Sequence, residues 1–407
     1  MPEGKYLFLA LDGGAWGRAA LGIDIARTLC QRGSQVKFVA TGMTAPLVKT
    51  SGLPMEELPD NLGVLTQLYI KTCLEVEAPK AIVLCDFYSC ATYLGRRGID
   101  PMFLLRCNVP TIALDAWDAS EKRDQIDSFG KSRAAGLDSI REVTGRLVPV
   151  PIGRPTTRGG YCSLPSPLKI TNEARRGIRT RNLGIKEGER AVLFCTAGWQ
   201  HDVKDPNGSR LAEALPRLLE IYLAQLGPSV RLIHVGPASL AMNPTNGYLW
   251  LPAVSAADFD RLLGSVDMFL SANISGTTIG RALAAGVPVV VLTNSRSIAT
   301  IEELEEQGRW DFSPAVQTWL ETTLPLYPFS MWPLGYWHYL KPLLHENPYC
   351  SAVKVVDLLD ETTFIETCGR LLSGANGRDE AMQRQTSYME LVNKLPSAAQ
   401  LIDSYLN

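Results

Sequence analysis

The sequence predicts an α/β protein made of two doubly wound, Rossmann-like domains. Short apolar runs alternate with helical patterns along most of the 407 residues, as expected for βαβ units around a buried parallel sheet. The alternation stops at a segment rich in Pro, Gly and Ser, residues 148–169, and then starts again. Because the chain is also too long for one hydrophobic core, we interpret this segment as the linker between two domains.

The first domain is predicted over residues 1–165, with strands YLFLAL, QVKFVAT, AIVLCDF and TIALDAW. Helical patterns lie between these strands, from about Arg18 to Gln31, Leu65 to Glu77 and Tyr88 to Arg97. The apolar run at the N-terminus is short and ends at Asp12, so we expect a buried strand there rather than a signal peptide.

The second domain is predicted over residues 166–378, with strands RAVLFCTAG, VRLIHVGP, GYLWLPAV, DMFLSAN and VPVVVLT. The helical segments between them include SRLAEALPRLLEIYLAQL and AADFDRLLGSV. Polar helices are expected over residues 379–407.

The composition argues against several classes of protein. A net charge of −2 gives no electrostatic case for nucleic acid or an anionic membrane as the main partner. No apolar run approaches the roughly 20 residues that cross a bilayer, so no integral membrane segment is expected. The nine cysteines form no CxxC pair and share no ligand spacing with the four histidines. We therefore expect reduced thiols, a cytoplasmic location and no metal site.

Ligands of open parallel sheets bind where loops leave the carboxyl ends of strands and lead into helix N-termini. The first stretch of this kind is a glycine-rich loop after the first strand. Its glycines are Gly13, Gly14 and Gly17, and its polar and aromatic side chains are Asp12, Trp16 and Arg18. Their presence favours ligand contact over the alternative, a tight turn that needs glycine only for its geometry.

The second stretch, FCTAGWQHD, ends the first strand of the second domain. Gly198 permits close approach of a ligand, and Trp199 offers a ring for stacking on a base or sugar. Gln200 and His201 add hydrogen-bonding groups. The alternative, a surface loop with an incidental tryptophan, stays open.

The third stretch, SANISGTTIGRALAAGVPVVV, leads from a strand into a helix of small residues. Ser275, Gly276, Thr277 and Thr278 stand at the predicted helix start, where we expect their hydroxyls to cap the helix and its N–H groups to face outward. An ordinary capped helix is the alternative. The position of the motif, last in the second Rossmann-like domain, favours a phosphate site.

Together these stretches resemble glycosyltransferases of the GT-B type. GGAWGRAALGIDIARTLCQRGSQVKFVATG is similar to the family's opening loop, helix and second strand. DFDRLLGSVDMFLSANISGTTIGRALAAGVPVVVLTN is similar to its donor-binding segment, and QRQTSYMELVNKL to its closing helices.

The resemblance implies two domains that face each other across a cleft. The acceptor, a small molecule or a peptide, would lie on residues 1–165, and the nucleotide diphosphate sugar on residues 166–378. Residues 379–407 would cross back onto the first domain. The resemblance implies a metal-independent transferase with no tightly bound cofactor.

The first loop departs from the family where many inverting members have a His as general base. Arg18 occupies this position, and an arginine cannot abstract a proton at ordinary pH. A base must come from Asp12, Asp86 or Asp115, which follow strands, unless transfer retains configuration without a protein base. The predicted catalytic residues are Asp12, Arg18 and Asp115, and the predicted acceptor-side contacts are Gly14, Trp16, Gly17 and Asp86.

The donor segment departs from the family at two positions. Asn273 stands near the usual His, and Arg281 replaces a Glu that binds the ribose hydroxyls. Arg281 can meet a phosphate or a carboxylate, but it cannot accept a hydrogen bond from ribose. Asn294 follows the last strand, where this family often contacts the sugar.

Two segments carry no motif. Leu324–Cys350 crowds aromatics, prolines and two histidines, and we favour a packed insertion or a dimer contact over a stacking surface for ligands. A homodimer therefore stays open. The basic residues Arg175, Arg176, Arg179 and Arg181 are interpreted as a solvated helix face rather than a phosphate site.

Two alternatives to a glycosyltransferase stay open on the same fold. One is a sugar-nucleotide epimerase or hydrolase, which needs paired acids and a His in the cleft. The other is a non-catalytic binding protein on a degenerate scaffold, which Arg18 and Arg281 support.

Overall fold

Two parallel β-sheets, one in each half of the chain, organise the protein. The structure is a computed structural model, and it describes residues 4–11, 16–116, 118, 138–149, 154–156, 159–163, 167, 169–202, 210–243, 247–252, 254–306, 312–373 and 375–407. The chain divides into two compact units, residues 1–165 with 390–407, and residues 166–389.

The first unit contains a sheet of seven parallel strands in the order β3-β2-β1-β4-β5-β6-β7. The strands are β1 (Lys5–Ala10), β2 (Gln35–Ala40), β3 (Met55–Glu57), β4 (Ala81–Leu84), β5 (Thr111–Leu114), β6 (Gly145–Pro149) and β7 (Tyr161–Cys162). Among the residues described before 117, the α-helices are α1 (Trp16–Gln31), α2 (Ala45–Thr50), α3 (Thr66–Glu77) and α4 (Phe87–Gly95). Short 3₁₀ helices span Asp60–Leu65, Pro101–Phe103 and Asp138–Glu142.

The first sheet has a hydrophobic core on each face. Successive residues of a strand point to opposite faces, so Tyr6 and Phe8 of β1 pack in the core that contains α1. Leu7 and Leu9 pack in the other core, with α3 and α4. The ring of Phe8 stacks on that of Phe38 in β2, with centroids 4.8 Å apart. The N-terminal apolar run is therefore a buried strand, as predicted.

The second unit contains a sheet of six parallel strands in the order β10-β9-β8-β11-β12-β15. The strands are β8 (Arg190–Cys195), β9 (Val230–Val235), β10 (Tyr248–Leu251), β11 (Met268–Ser271), β12 (Val289–Thr293) and β15 (Lys354–Asp357). A separate antiparallel pair consists of β13 (Phe329–Met331) and β14 (Gly335–Tyr336).

Helices cover most of the remaining residues described in this half. They are α5 (Asn172–Gly177), followed by a π-helical turn (Ile178–Asn182), α6 (Trp199–Asp202), α7 (Leu211–Gln225), α8 (Ala256–Leu263), α9 (Thr277–Ala284), α10 (Ile301–Glu306), α11 (Pro314–Thr323), α12 (Trp337–Leu344), α13 (Pro348–Ala352), α14 (Glu361–Ser373) and α15 (Ala375–Asn393). The predicted fold class, two Rossmann-like α/β domains, is confirmed.

The last helix, α16 (Ala398–Leu406), packs on the first unit. It lies against α1 and β6, and the Tyr405 hydroxyl donates a hydrogen bond to the Arg146 carbonyl at 2.8 Å. The Tyr405 ring covers Gly145, where a Cβ atom would lie 2.1 Å from the ring. Gly145 is therefore required for this close approach.

The segment predicted as a linker, residues 148–169, contains strand residues at two places. β6 continues to Pro149, and Tyr161–Cys162 forms the edge strand β7 of the first sheet. The Val148 N–H donates to the Gly160 carbonyl at 2.8 Å. The expectation that the segment lacks strands was wrong, because proline and glycine are tolerated at strand ends and sheet edges. The boundary between the two units, after residue 165, lies within the segment.

The basic segment after the linker is only partly a solvated face. Arg176 and Arg181 are exposed, as predicted. Arg175 and Arg179 instead lie 3.1 and 2.9 Å from the carboxylate of Asp267, which is 1% exposed. Arg378 lies 3.1 Å from the same carboxylate. The prediction of a solvated face was wrong for Arg175 and Arg179, since their partner is distant in sequence.

None of the helices in the described part of the chain combines the length and the apolar character needed to cross a membrane. None of the nine cysteines, all of which lie within the described residues, forms a disulfide.

Candidate functional site

The stretches FCTAGWQHD and SANISGTTIGRALAAGVPVVV both form loops at the same edge of the second sheet. β8 and β11 are hydrogen-bonded neighbours, with Leu270 opposite Phe194. Since the strands are parallel, the loops that follow them, 196–198 and 272–276, both lie at the carboxyl edge. Gly198–His201 and Asn273–Thr278 therefore come from adjacent strands, at the kind of position where α/β sheets bind ligands.

Helix α9 begins at this edge with free backbone donors. Its N-cap is Gly276, which makes no side-chain cap, so the prediction that Ser and Thr hydroxyls cap the helix is wrong. Within the described residues, the N–H groups of Thr277 and Thr278 have no hydrogen-bond acceptor. Because both residues are half-buried and stand at the positive end of the helix dipole, this N-terminus is suited to an anion.

Asn273 shapes the turn that precedes α9. Its side-chain oxygen accepts from the Ser275 backbone N–H at 3.0 Å and from the Ser275 hydroxyl at 2.8 Å. The hydroxyl also lies 3.0 Å from the Met331 sulfur, and Ser275 is only 8% exposed. Asn273 and Ser275 therefore hold the loop, while the N–H groups of the helix stay open.

Arg281 forms an ion pair with Asp260 of the same unit. Its Nη2 and Nε atoms lie 2.8 and 3.1 Å from Asp260 Oδ1, and the two side chains are 13% and 8% exposed. The pair joins α9 to α8. A guanidinium thus fills the position where the resembled family has its ribose-binding Glu, and the predicted contact of Arg281 with the sugar donor stays a prediction.

The loop after β8 is fixed by Gln200. Its side-chain oxygen accepts from the Ala197 N–H at 2.8 Å, and its amide nitrogen donates to the Trp332 carbonyl at 2.9 Å. Gln200 is 5% exposed, whereas the neighbouring Trp199 and His201 are half-buried. Gln200 therefore organises the loop, and Trp199 and His201 present accessible surface beside it.

A chain of hydrogen bonds, which we call the His234 relay, supports the His201 ring. His201 Nε2 lies 2.8 Å from the Thr196 hydroxyl, which lies 2.8 Å from His234 Nε2. His234 Nδ1 lies 2.9 Å from the Tyr248 hydroxyl, which accepts from the Leu240 N–H at 2.9 Å. The relay restricts how the His201 ring can rotate, and it fixes the tautomers of both rings together.

His234 is neutral in this environment. It is fully buried, and burial, with a smaller contribution from His201, lowers its pKa to about 3. Gly236 makes room for the relay, since a Cβ atom there would lie 2.2 Å from the Thr196 hydroxyl oxygen. Sequence reasoning missed the relay. The available signal was a histidine within the otherwise apolar strand VRLIHV.

The aromatic segment Leu324–Cys350 packs across the carboxyl ends of β11 and β12. The Ile274 N–H donates to the Ser330 carbonyl at 2.9 Å, and the Trp332 N–H donates to the Ala272 carbonyl at 3.0 Å. Trp332 is 2% exposed. This part of the segment is packed within the unit, in line with the favoured interpretation, and it braces the loop that precedes α9. A dimer contact stays a prediction.

Asn294 secures the same segment to β12. It is fully buried, and its amide nitrogen donates to the carbonyls of Tyr327 at 2.7 Å and Arg296 at 3.0 Å. Its backbone N–H donates to the Phe329 carbonyl at 2.9 Å. A sugar contact from Asn294 stays a prediction, since its side chain serves the local fold.

In the first unit, Arg18 and Asp86 meet at the carboxyl edge of the neighbouring strands β1 and β4. Arg18 Nη1 lies 2.7 Å from Asp86 Oδ2 and 2.6 Å from the Ser89 hydroxyl. Asp86 is 3% exposed and also caps α4 by accepting from the Ser89 N–H at 2.6 Å. Trp16 donates its indole N–H to the Met43 carbonyl at 2.9 Å, and Gly17 lies in the first turn of α1.

Asp115 follows β5 and is fully buried. Its Oδ2 atom lies 3.4 Å from Arg146 Nη1, which lies 2.7 Å from Asp118 Oδ1. Tyr161 donates its hydroxyl to Asp118 at 2.6 Å, and burial followed by this bond raises the pKa of Tyr161. Asp118 was not predicted from sequence, because its partners become neighbours only in the folded sheet.

Asp12 and Gly14 lie outside the described residues, and their roles stay predictions. Among the residues that are described, no cluster of three or more His, Cys, Asp or Glu side chains is arranged to hold a metal ion.

Solved structures share this two-sheet architecture over almost their whole length. HepE of Anabaena, crystallised with UDP and glucose, matches with a TM-score of 0.56 and 16% identity over 99% of both chains. The spinosyn forosaminyltransferase SpnP matches with a TM-score of 0.55 and 15% identity over 99% of this chain and 98% of its own.

A putative UDP-N-acetylglucosamine 2-epimerase from Listeria monocytogenes also matches, with a TM-score of 0.54 and 11% identity over 94% of this chain and 91% of its own. At these identities the likeness shows the fold, and the GT-B fold implied by the sequence resemblance is confirmed.

No curated protein is significantly similar to the chain. One family model matches residues 25–407, and its description is a family of unknown function, DUF6365. The match covers nearly the whole chain, which therefore belongs to this family.

Proposed function

We propose that this protein is a glycosyltransferase that moves a sugar from a nucleotide diphosphate sugar to a small-molecule or peptide acceptor. The observation that carries the proposal is the N-terminus of α9, where the Thr277 and Thr278 N–H groups have no acceptor within the described residues. These donors stand at the carboxyl edge of the second parallel sheet. HepE, which shares the fold, was crystallised with UDP and glucose.

The N-terminus of α9 would bind the diphosphate and stabilise it as the leaving group. Negative charge grows on the diphosphate as the glycosidic bond to it breaks. Two fixed N–H donors and the helix dipole stabilise that charge without reorganising, because Asn273 and Ser275 already hold the loop. We propose that no metal ion is needed, and chelation by EDTA is expected to leave turnover unchanged.

The loop after β8 would hold the remainder of the nucleotide. Trp199 is half-buried and offers a ring for stacking on the base, and His201 is held by Thr196 beside it. Arg281 is bound by Asp260, so the ribose is expected to be recognised from this loop instead. Gln200, Asn273, Ser275 and Asn294 would act by shaping the two loops.

The acceptor would lie on the first unit, near the loop after β1. A general base must reach the acceptor hydroxyl, yet Asp86 is 3% exposed and bound to Arg18, and Asp115 is fully buried beside Arg146. We therefore propose Asp12 as the base. Arg18 would orient Asp86 and supply positive charge, but it would not accept a proton.

Calorimetric titration with UDP, dTDP, GDP and ADP tests the nucleotide site directly. We expect saturable binding of at least one of them, and a failure of all four to bind would refute the proposal. Turnover is then measured with the matching sugar nucleotide and a panel of acceptors, in the presence and absence of EDTA.

A second candidate function is epimerisation or hydrolysis of a sugar nucleotide, because the Listeria putative epimerase has the same fold. Incubation with the sugar nucleotide alone separates the candidates, since an epimerase or hydrolase consumes it without an acceptor. Tight nucleotide binding without any turnover would instead indicate a binding protein.

A further inference from the structure

A cavity of about 230 Å³ lies at the edge of the second sheet opposite the N-terminus of α9. Val289, the first residue of β12, and Lys354, the first residue of β15, both line it, so it opens at the amino ends of these strands. Helices α14 and α15 complete its wall through Thr367 and Arg384. The proposed nucleotide site makes no use of this region.

The rim of this cavity carries excess positive charge. Lys354, Arg370 and Arg384 line it together with a single carboxylate, that of Glu380. Within the described residues, no carboxylate lies within ion-pair distance of any of these three cations. By contrast, Arg378, two residues before Glu380 on the same helix, lies 3.1 Å from the buried carboxylate of Asp267.

Thr367 adds a buried donor to the cavity wall. The residue is 5% exposed, and its hydroxyl has no hydrogen-bond partner in the described part of the chain. Helical threonines usually donate to the carbonyl four residues earlier, as Thr318 and Thr323 of α11 do at 3.1 and 2.6 Å. A buried hydroxyl without a partner is costly, so a polar ligand that bonds to it stabilises the protein.

The remaining wall is apolar, formed in part by Ala352, Leu371 and Ala381. A ligand matched to the whole cavity therefore combines an anionic head with a short carbon skeleton. Drug-sized ligands occupy about 300–1,000 Å³, so this cavity suits a smaller molecule. Guanidinium groups match the oxygens of a phosphate by paired hydrogen bonds, which favours a phosphoryl head.

We propose that this cavity is a second binding site of the protein, for a small organic phosphate monoester. Arg370, Arg384 and Lys354 bind the phosphoryl oxygens, and the Thr367 hydroxyl donates to the ligand. The apolar wall contacts the carbon skeleton. This proposal is independent of the glycosyltransferase function, because the two sites lie at opposite edges of the sheet.

Calorimetry on the full chain at low ionic strength tests the site, with glycerol 3-phosphate and inorganic phosphate as probes. We expect saturable binding of both, with glycerol 3-phosphate bound more tightly. Arg370→Gln and Arg384→Gln are each expected to weaken glycerol 3-phosphate binding about tenfold, because each removes a charged hydrogen-bond donor. Lys341→Gln, which removes an exposed cation elsewhere in this unit, is the control and is expected to bind as wild type.

Two further variants separate a ligand site from a merely basic surface. Thr367→Val removes the hydroxyl at nearly constant shape and is expected to weaken binding several-fold without lowering Tm. Glu380→Gln removes the competing carboxylate and is expected to tighten binding. Tm serves as the folding control for every variant and is expected to be unchanged.

The proposal is overturned if glycerol 3-phosphate shows no saturable binding at millimolar concentration. It is also overturned if Arg370→Gln and Arg384→Gln bind this probe as well as Lys341→Gln does. Equal affinity for inorganic phosphate and glycerol 3-phosphate would contradict the role of the apolar wall.

Discussion

The carboxyl edges of the two sheets differ in how their polar groups are satisfied. In the first unit, charged side chains bind one another, as Arg18 with Asp86 and Arg146 with Asp115 and Asp118. In the second unit, the side chains of Asn273 and Ser275 instead hold the loop before α9 in place. The N–H groups at the start of α9 have no acceptors within the described residues.

From this difference we expect the two edges, despite their similar topology, to differ in how well they bind a ligand. An ion pair that is complete within the fold offers little binding energy to a ligand, because the ligand must first displace a partner. Backbone donors held by a rigid turn need no such displacement. We therefore expect substitutions at the first edge to affect stability, and substitutions at the second edge to affect nucleotide affinity.

The largest effect is expected from Arg146→Met. Methionine leaves the carboxylates of Asp115 and Asp118 buried without their cation, which costs about 3–5 kcal/mol. Denaturant unfolding measures the loss. Arg106→Met is the control, because Arg106 is 70% exposed and pairs with an exposed Asp100. Similar losses for both variants would show that the Arg146 cluster adds little to stability.

Asp12→Asn tests the base proposed for the first unit. Loss of a general base is expected to lower kcat by a factor of about 10²–10⁴, with little change in nucleotide affinity. Asp60→Asn is the control, since its carboxylate is exposed and lies 3.8 Å from Arg97. Wild-type turnover by Asp12→Asn would exclude Asp12 and favour a transfer without a protein base.

Thr277→Pro tests the open donors of the second unit. Proline at the first helical position removes one N–H without breaking the helix, and the extended backbone of Gly276 (φ −63°, ψ 123°) accommodates a following proline. Losing a hydrogen bond to a charged group is expected to weaken nucleotide diphosphate binding about tenfold or more. Thr277→Ala keeps the N–H and removes the hydroxyl, so binding close to wild type is expected. Equal weakening in both variants would assign the effect to the hydroxyl.

Much of the fold could be predicted from the sequence, because buried parallel strands such as AIVL and VVVLT are uninterrupted apolar runs. β15 was missed because it is a short edge strand whose residues Lys354 and Val355 are exposed. The sequence shows the glycine at the start of α9. It does not show that the helix lacks a side-chain cap, because the Ser275 hydroxyl donates to Asn273 instead.

Pairings between distant residues could not be read from one sequence. Arg281 and Asp260 lie on two helices, and the partner of His234 in the relay lies on the next strand. A single chain records which residue types are present but not which side chains meet. The sequence could therefore place these residues on loops at strand ends, but it could not tell which groups each side chain contacts.

His234→Gln tests whether the relay beneath the second edge depends on a neutral histidine. The folded pKa of about 3 lies below the usual 6.5, so the unfolded chain binds a proton at a higher pH than the folded chain does. Neutral His234 contributes fully to the free energy of unfolding above pH 6.5. This contribution is lost as the pH falls toward 3, by about 1.4 kcal/mol per pH unit. Unfolding measured between pH 7 and pH 5 is expected to show a shallower loss in His234→Gln than in wild type. Tyr248→Phe retains the histidine and is expected to keep the wild-type slope, so a flat profile there would contradict this account.

The smallest effect on nucleotide binding is expected from Arg281→Gln. Because both nitrogens of Arg281 that face Asp260 are already bound to it, removing the guanidinium should cost about 1–3 kcal/mol of stability, as for a lost charged hydrogen bond. Nucleotide diphosphate affinity is expected to change less than about threefold, well below the tenfold that a lost charged hydrogen bond to the ligand would give. Asp260→Asn is the matched variant and should reproduce the loss of stability. The reverse result, normal stability with a large loss of affinity in Arg281→Gln alone, would show that Arg281 leaves Asp260 to bind the nucleotide. The second edge would then bind its ligand by opening an ion pair, and not through backbone donors alone.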